Sequence, residues 1–105
     1  MEFEDVKTMA VIGAGNIGHG IALGLALAGY QVPLNSTTEA SLQEGIDSIK
    51  ADLDRLVGFG FTEPGRAEQA LTKISTTTSL EEASSDSDVV IEAVYENLEL
   101  KQQVF

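Results

Sequence analysis

Near its start the chain carries three glycines in the spacing G-x-G-x-x-G, at Gly13, Gly15 and Gly18. They follow an apolar run at residues 8–12 and open an Ala- and Leu-rich stretch at residues 16–28, so the motif lies between a predicted strand and a predicted helix. In that context Gly13 allows a tight turn, Gly15 lets a ligand approach the backbone, and Gly18 lets helix and strand pack closely. The motif predicts that free amides at the start of the helix bind a pyrophosphate, and a glycine-rich turn without a ligand is the alternative.

The charge of the chain restricts its partners. Six Lys and Arg face seventeen Asp and Glu, for a net charge of -11, which argues against nucleic acid and anionic membranes as partners. Because cations are scarce, an anionic ligand would need backbone amides or local geometry, and the glycine motif supplies such amides. No cysteine and one histidine argue against disulfides and against a metal site. Three acids within residues 1–6 argue against a secretory signal, so we expect a cytoplasmic location.

Apolar periodicity and turn residues divide the chain into alternating strands and helices. The length predicts one domain over residues 1–105. The predicted order is strand 8–12, helix 16–28, strand 31–34, a helix with an apolar stripe between residues 42 and 57, a helix from 62 to about 71, strand 74–77, a short helix after residue 79, strand 88–94 and a helix over 98–105. This alternation predicts an α/β fold, a Rossmann-type doubly wound parallel sheet. The last helix is cut by the end of the sequence, which predicts a truncated domain.

The second predicted strand has two particular features. Pro33 cannot donate a hydrogen bond to a neighbouring strand, so we expect a weakened or edge-like strand end. Ser36 and Glu39 have the spacing of a capping box, which predicts Ser36 as the N-cap of the next helix. In dinucleotide-binding folds an acid usually ends this strand and binds the ribose hydroxyls, but here no acid occurs before Glu39. The loss of the acid leaves NADP open as a cofactor beside NAD.

The single imidazole, His19, allows two interpretations. It could act as a general base. We favour a residue in the first turn of its helix that faces the loop or solvent, because no carboxylate lies nearby in sequence to orient it.

Two segments of the chain carry a family resemblance. The first is Val-Ile-Gly-Ala-Gly-Asn-Ile-Gly-His-Gly-Ile-Ala at residues 11–22, whose glycine motif is shared by many dehydrogenases. The second lies at residues 88–105 and contains the more specific pattern Glu-Ala-Val-x-Glu-Asn-Leu-x-x-Lys. Together they resemble the amino-terminal domain of the 3-hydroxyacyl-CoA dehydrogenases, a family that also includes sugar-acid dehydrogenases. The resemblance implies NAD-dependent oxidation of a secondary alcohol in fatty acid metabolism.

The resemblance also implies which residues contact the cofactor. Ser36 stands where the family usually has aspartate, near the adenosine ribose. The further implied contacts are Asn16 and Ile17 at the glycine loop, Val94, Tyr95 and Glu96 along the pyrophosphate and the nicotinamide ribose, and Lys101. The family's catalytic residues lie downstream of the position of Phe105, as does the helical domain that completes the substrate site and drives dimerisation. The resemblance therefore implies no catalytic residue in this chain, which would be inactive alone, and a homodimeric parent that acts on an acyl-CoA.

Three functions remain open at this point. The leading one is the NAD-binding domain of an oxidoreductase that acts on the 3-hydroxyl of a hydroxyacyl-CoA. The second is the corresponding part of a related sugar-acid or hydroxy-acid dehydrogenase, since the residues that choose the substrate lie outside the sequence. The third is a non-catalytic module that senses NAD(H) and regulates a partner.

Overall fold

The computed structural model describes residues 5–13, 15–93 and 98–102. Five strands and four helices follow one another in these ranges. They are β1 (Met9–Ile12), α1 (Asn16–Leu27), β2 (Val32–Asn35), α2 (Glu39–Gly58), α3 (Pro64–Lys73), β3 (Ile74–Thr77), α4 (Leu80–Ser85), β4 (Val89–Ala93) and β5 (Leu98–Gln102). None of the helices described is long and apolar enough to cross a membrane.

The strands form one sheet in the order β3-β2-β1-β4-β5. β1 to β4 are parallel, and β5 runs antiparallel to β4. Successive residues of β1 point to opposite faces. Val11 lies in a core with α1, α2 and α3, whereas Ala10 packs with Ala83 of α4 and Val90 of β4. Helices therefore cover both faces, and the predicted Rossmann-type α/β fold is confirmed.

Pro33 lies in an interior strand, so the expectation of an edge-like strand end was wrong. β2 is paired with β3 without a break from Val32↔Ile74 to Asn35↔Thr77. The expected weakening is found on the other side, where the pairing with β1 is interrupted between the bridge Thr8↔Gln31 and the pair Val11↔Leu34. Proline has no N–H, and the missing donor falls on the side that faces β1.

The N-cap of α2 is Thr38, not Ser36 as the capping-box spacing predicted. The Thr38 hydroxyl accepts a hydrogen bond from the amide of Ser41 at 3.1 Å. The amide of Ser36 instead points toward β3, where it donates to the carbonyl oxygen of Thr77 at 3.4 Å. Because the amide of Ser36 is bonded to β3 and the Thr38 hydroxyl caps the first turn, the helix begins later than the spacing suggested.

Residues 98–102 form a strand, so the helix predicted over 98–105 was wrong in this part. β5 pairs with β4 from Ala93↔Leu98 to Val89↔Gln102. The run Leu-Glu-Leu-Lys-Gln alternates apolar and polar residues with a period of two, as a strand does. The outer edge of β4 offers backbone N–H and C=O groups for pairing, which favours a strand over a helix in this segment.

Candidate functional site

A buried asparagine joins the carboxyl ends of three parallel strands. Asn35 is 6% exposed, and its carbonyl oxygen accepts a hydrogen bond from the amide of Gly13, just after β1, at 2.7 Å. Its side-chain Nδ2 donates to the carbonyl oxygen of Thr77 at the end of β3, at 3.1 Å. Asn35 thus fixes the edge of the sheet from which the glycine loop starts. The sequence analysis missed it, although a polar residue that ends an apolar strand is a signal for such a role.

The three motif glycines have different surroundings. Gly13 has a φ of +102°, and a Cβ placed there would collide with the carbonyl oxygen of Ala93 at the end of β4. A Cβ on the buried Gly18 would collide with the carbonyl of Gly13. A Cβ at Gly15 would meet no atom of the described residues within 4 Å, so this glycine faces open space. The surroundings agree with a turn at Gly13, close packing at Gly18 and a ligand side at Gly15.

The start of α1 has no side-chain cap, which it shares with α3, where a proline occupies the first turn. Its N-cap residue, Gly15, has no side chain to accept an amide, and the first turn contains no acid. By contrast, α2 and α4 are capped by the hydroxyls of Thr38 and Ser79. Uncapped amides with the positive end of the helix dipole form an anion site. The first turn includes the backbone of Asn16 and Ile17, whose side chains lie outside the described part.

Ser36 lies beside the glycine loop at the same edge of the sheet. Ile12 pairs with Asn35, so Gly13 and Ser36 are the next residues of two neighbouring strands. The structure therefore brings together two parts of the predicted site, the glycine loop and Ser36.

The structure does not show the other predicted cofactor contacts at this edge of the sheet. Val94, Tyr95 and Glu96 lie outside them. Lys101 has its backbone in β5 opposite Val90, three residues before the end of β4 at Ala93, and its side chain is also outside the description. The roles of these residues in binding the cofactor stay predictions.

His19 faces a carboxylate that the sequence analysis did not anticipate. The ring Nδ1 lies 3.1 Å from the carbonyl oxygen of Gly15, and Nε2 lies 3.3 Å from Oδ2 of Asp52 on α2. The other carboxylate oxygen of Asp52 accepts a hydrogen bond from Arg55 at 2.9 Å. The side chain of His19 is 14% exposed, so it faces the loop, as expected, and α2 rather than solvent. Asp52 is remote in sequence, which is why the search for an orienting acid near His19 failed.

The sequence profile of one family, described as 3-hydroxyacyl-CoA dehydrogenase, NAD binding domain, matches residues 8–105. This chain belongs to that family. The 3-hydroxyacyl-CoA dehydrogenase NAD-binding domain has NAD as its cofactor, which confirms the predicted family and the leading choice of cofactor. The uncapped start of α1 and the open side of Gly15 fit a bound pyrophosphate.

Individual relatives support the same assignment. The chain is 38% identical over 100 residues to the glyoxysomal fatty acid beta-oxidation multifunctional protein MFP-a of Cucumis sativus, covering 95% of this chain and 14% of that protein. It is 36% identical over 105 residues to the mitochondrial hydroxyacyl-coenzyme A dehydrogenase of Rattus norvegicus, covering 95% of this chain and 33% of that protein. The crystal structure of 3-hydroxybutyryl-CoA dehydrogenase from Escherichia coli superposes with a TM-score of 0.82 at 35% identity, covering 89% of this chain and 20% of that one. The 3-hydroxyacyl-CoA dehydrogenase NAD-binding domain described here thus spans a third or less of these relatives.

Proposed function

We propose that the NAD-binding domain described here belongs to an enzyme that oxidises the 3-hydroxyl of a hydroxyacyl-CoA in fatty acid metabolism. NAD⁺, when bound, would supply the acceptor for the hydride from C3 of the substrate, and a base elsewhere in the enzyme would take the hydroxyl proton. The observation that carries the proposal is the open Gly15 at the uncapped start of α1, in a chain of this family. The substrate class is supported by the names of two relatives, a plant fatty acid beta-oxidation protein and a rat hydroxyacyl-coenzyme A dehydrogenase.

In this proposal the domain binds and orients the cofactor. The backbone amides at the start of α1 hold the pyrophosphate, and Ser36 lies near the adenosine ribose. Asn16, Ile17, Val94, Tyr95, Glu96 and Lys101 are further proposed contacts on the strength of the family resemblance. The base that takes the hydroxyl proton is supplied by the rest of the enzyme.

A comparison of the chain with its full-length parent tests the proposal. We expect the 105-residue chain to bind NADH in a calorimetric titration. We expect no change in reduced-nicotinamide absorbance when it receives NAD⁺ and a 3-hydroxyacyl-CoA, while the parent turns the pair over. If the parent oxidises a sugar acid but not the acyl-CoA, the proposed substrate class is wrong. If the parent turns over neither substrate, an NAD(H)-sensing module is favoured.

We also propose that the parent is a homodimer located in the cytoplasm. Light scattering of the purified parent tests the dimer, and microscopy of a tagged parent tests the location. A monomer would contradict the first proposal, and accumulation in an organelle, as the names of several relatives suggest for those proteins, would contradict the second.

A further inference from the structure

The imidazole ring of His19 lies between the glycine loop and helix α2, with a hydrogen-bond acceptor at each nitrogen. One acceptor is the carbonyl oxygen of Gly15, 3.1 Å from Nδ1, and the other is the Asp52 carboxylate, 3.3 Å from Nε2. Neither a carbonyl nor a carboxylate can donate a proton. A neutral imidazole has one N–H and can donate to one of them, whereas an imidazolium donates to both. Both contacts are therefore complete only when His19 is protonated.

Among the described residues, Asp52 is the charged group in contact with His19, and Arg55 is bound to Asp52. Both are on α2, and Arg55 binds the carboxylate oxygen of Asp52 that is not turned toward the ring. α1, β1 and β2 contain no Asp, Glu, Lys or Arg. The neighbours of Asp52 on the same side of α2, Ser48, Ile49 and Leu56, are uncharged.

The other elements packed against α1 carry their charges elsewhere. On α3, Arg66 reaches the carbonyl oxygen of Leu27 at the opposite end of α1, and Lys73 lines the same groove. Glu68 of α3 lines a groove against α2. On β4 the charged residue is Glu92, which pairs with Ile12 of β1.

The carbonyl that the ring holds belongs to the residue that faces the ligand. The Gly15 oxygen accepts the backbone amide of His19 at 2.9 Å and the ring at 3.1 Å, so His19 fixes the position of Gly15 through two bonds. When the ring is protonated, it also places a positive charge beside the start of α1 in a chain whose net charge is -11. An anionic pyrophosphate at the loop gains from both effects.

We infer that His19, held by Asp52, is a cofactor-positioning residue whose protonated ring strengthens dinucleotide binding at the glycine loop. The inference rests on the proposed function, because it concerns the same site. Because the protonated ring makes both contacts, the complex with the dinucleotide binds protons more readily than the free protein does, and NADH affinity is higher at acid pH than at alkaline pH.

The dissociation constant of NADH, measured by calorimetry on the 105-residue chain, tests the inference. We expect it to rise about three- to tenfold between about pH 6 and pH 8.5. His19 is the single histidine and the chain has no cysteine, so besides the terminal amine no other group ordinarily titrates in this interval. Titrations in buffers of different ionisation enthalpy should show proton uptake on binding.

Three variants separate a positioning role from a structural one. His19→Asn keeps an N–H close to the place of Nδ1 but cannot titrate, so its NADH affinity should not change with pH. Asp52→Asn removes the carboxylate that faces Nε2, so its NADH affinity should be weaker than that of the wild type and should change less with pH. Asp47→Asn removes the same charge from an exposed site on α2 that binds Gln43, and it should keep the wild-type profile.

Circular dichroism of each variant confirms that it is folded before its affinity is measured. A wild-type dissociation constant that stays within about twofold over the interval would overturn the inference, as would a His19→Asn variant that keeps the wild-type profile. Absence of NADH binding at every pH would overturn the proposed function as well, which distinguishes the two failures.

Discussion

At the scale of single residues, the three glycines of the loop differ in whether a side chain would disturb the fold. Gly13 and Gly18 face backbone atoms of the protein itself, so a side chain at either position has to displace the loop or β4. Gly15 faces open space and has a φ of -68°, which any residue can adopt. A side chain at Gly15 would therefore extend into open space, where we propose that the pyrophosphate binds, without disturbing the fold.

Substitution of Gly15 by valine should abolish NAD binding and leave the fold intact. The new side chain would occupy the space through which the pyrophosphate approaches the amides of α1. Calorimetric titration with NADH checks the affinity, and thermal unfolding checks the fold. Gly24→Val is the matched control, since Gly24 is exposed on the same helix with open space around it, and it should bind as the wild type does. Equal affinities of Gly15→Val and the wild type would contradict the role of the loop.

Substitution of Ser36 by aspartate should increase the preference for NAD over NADP by about 1–3 kcal/mol, the size of one charge-assisted hydrogen bond with repulsion of a 2′-phosphate. The wild type should discriminate weakly, with NAD preferred, because a hydroxyl can bind a ribose hydroxyl or a phosphate oxygen. Since Thr38 caps α2, capping does not account for a serine at position 36.

Dissociation constants for NAD and NADP at matched salt measure this preference. Thr37→Asp, with the same charge on the next, exposed residue, is the control and should change the ratio less. A wild type that binds NADP at least about tenfold more tightly than NAD would contradict the assignment of Ser36.

The residues of the site differ in how far the sequence reveals them. The tasks of Gly13, Gly15 and Gly18 follow from local spacing between a strand and a helix. The structure shows the close approaches at Gly13 and Gly18, whereas the ligand role of Gly15 stays a prediction. The pairing of His19 with Asp52 depends on how α2 packs across α1, and no local pattern contains that packing.

At the scale of elements, periodicity predicted most of the fold and failed where a neighbouring strand decides. β3 was predicted with its observed bounds, and the apolar stripe of α2 is the side that it buries, including Leu42, Ile49 and Leu53. Residues 98–102 alternate apolar and polar side chains with a period of two, and they pair with the edge of β4 as a strand. The start of α2 was misplaced because the amide of Ser36, directly after β2, is bonded to the end of β3 and the cap falls on Thr38.

Removal of the α2 cap should distinguish the observed N-cap from the predicted one. Thr38→Ala should lower the free energy of unfolding by about 1 kcal/mol, within a range of about 0.5–2, because the amide of Ser41 loses its partner. Ser36→Ala should change it by no more than about 0.5 kcal/mol. Urea unfolding of both variants gives the comparison, and a larger loss for Ser36→Ala would contradict the cap at Thr38.

At the scale of the whole molecule, the two ends of the parallel sheet perform different tasks. The carboxyl ends of β1 and β2 lead into the glycine loop and Ser36, where backbone groups are left for a ligand. The amino ends of β1 and β4 are tied together by Asp88, whose Oδ2 accepts the amides of Lys7 at 2.8 Å and Thr8 at 3.1 Å. The ligand edge can thus remain open while the opposite edge is held by protein groups.

Asp88 should make the stability of the sheet depend on acid. The hydrogen bond from the Lys7 amide, followed by that from Thr8, holds the pKa of Asp88 below its usual range, and burial opposes this only in part. Because the pKa is lower in the folded state than in the unfolded one, the stabilisation is complete above about pH 4 and is lost as the pH falls through the lowered folded value. Asp88→Asn should therefore be less stable than the wild type at neutral pH, and the difference should shrink below about pH 4.

Urea midpoints across this range measure the effect, with Asp86→Asn, an exposed residue at the end of α4, as the control of equal charge. A constant difference between wild type and Asp88→Asn at every pH would show that the two amides do not depend on the ionised carboxylate.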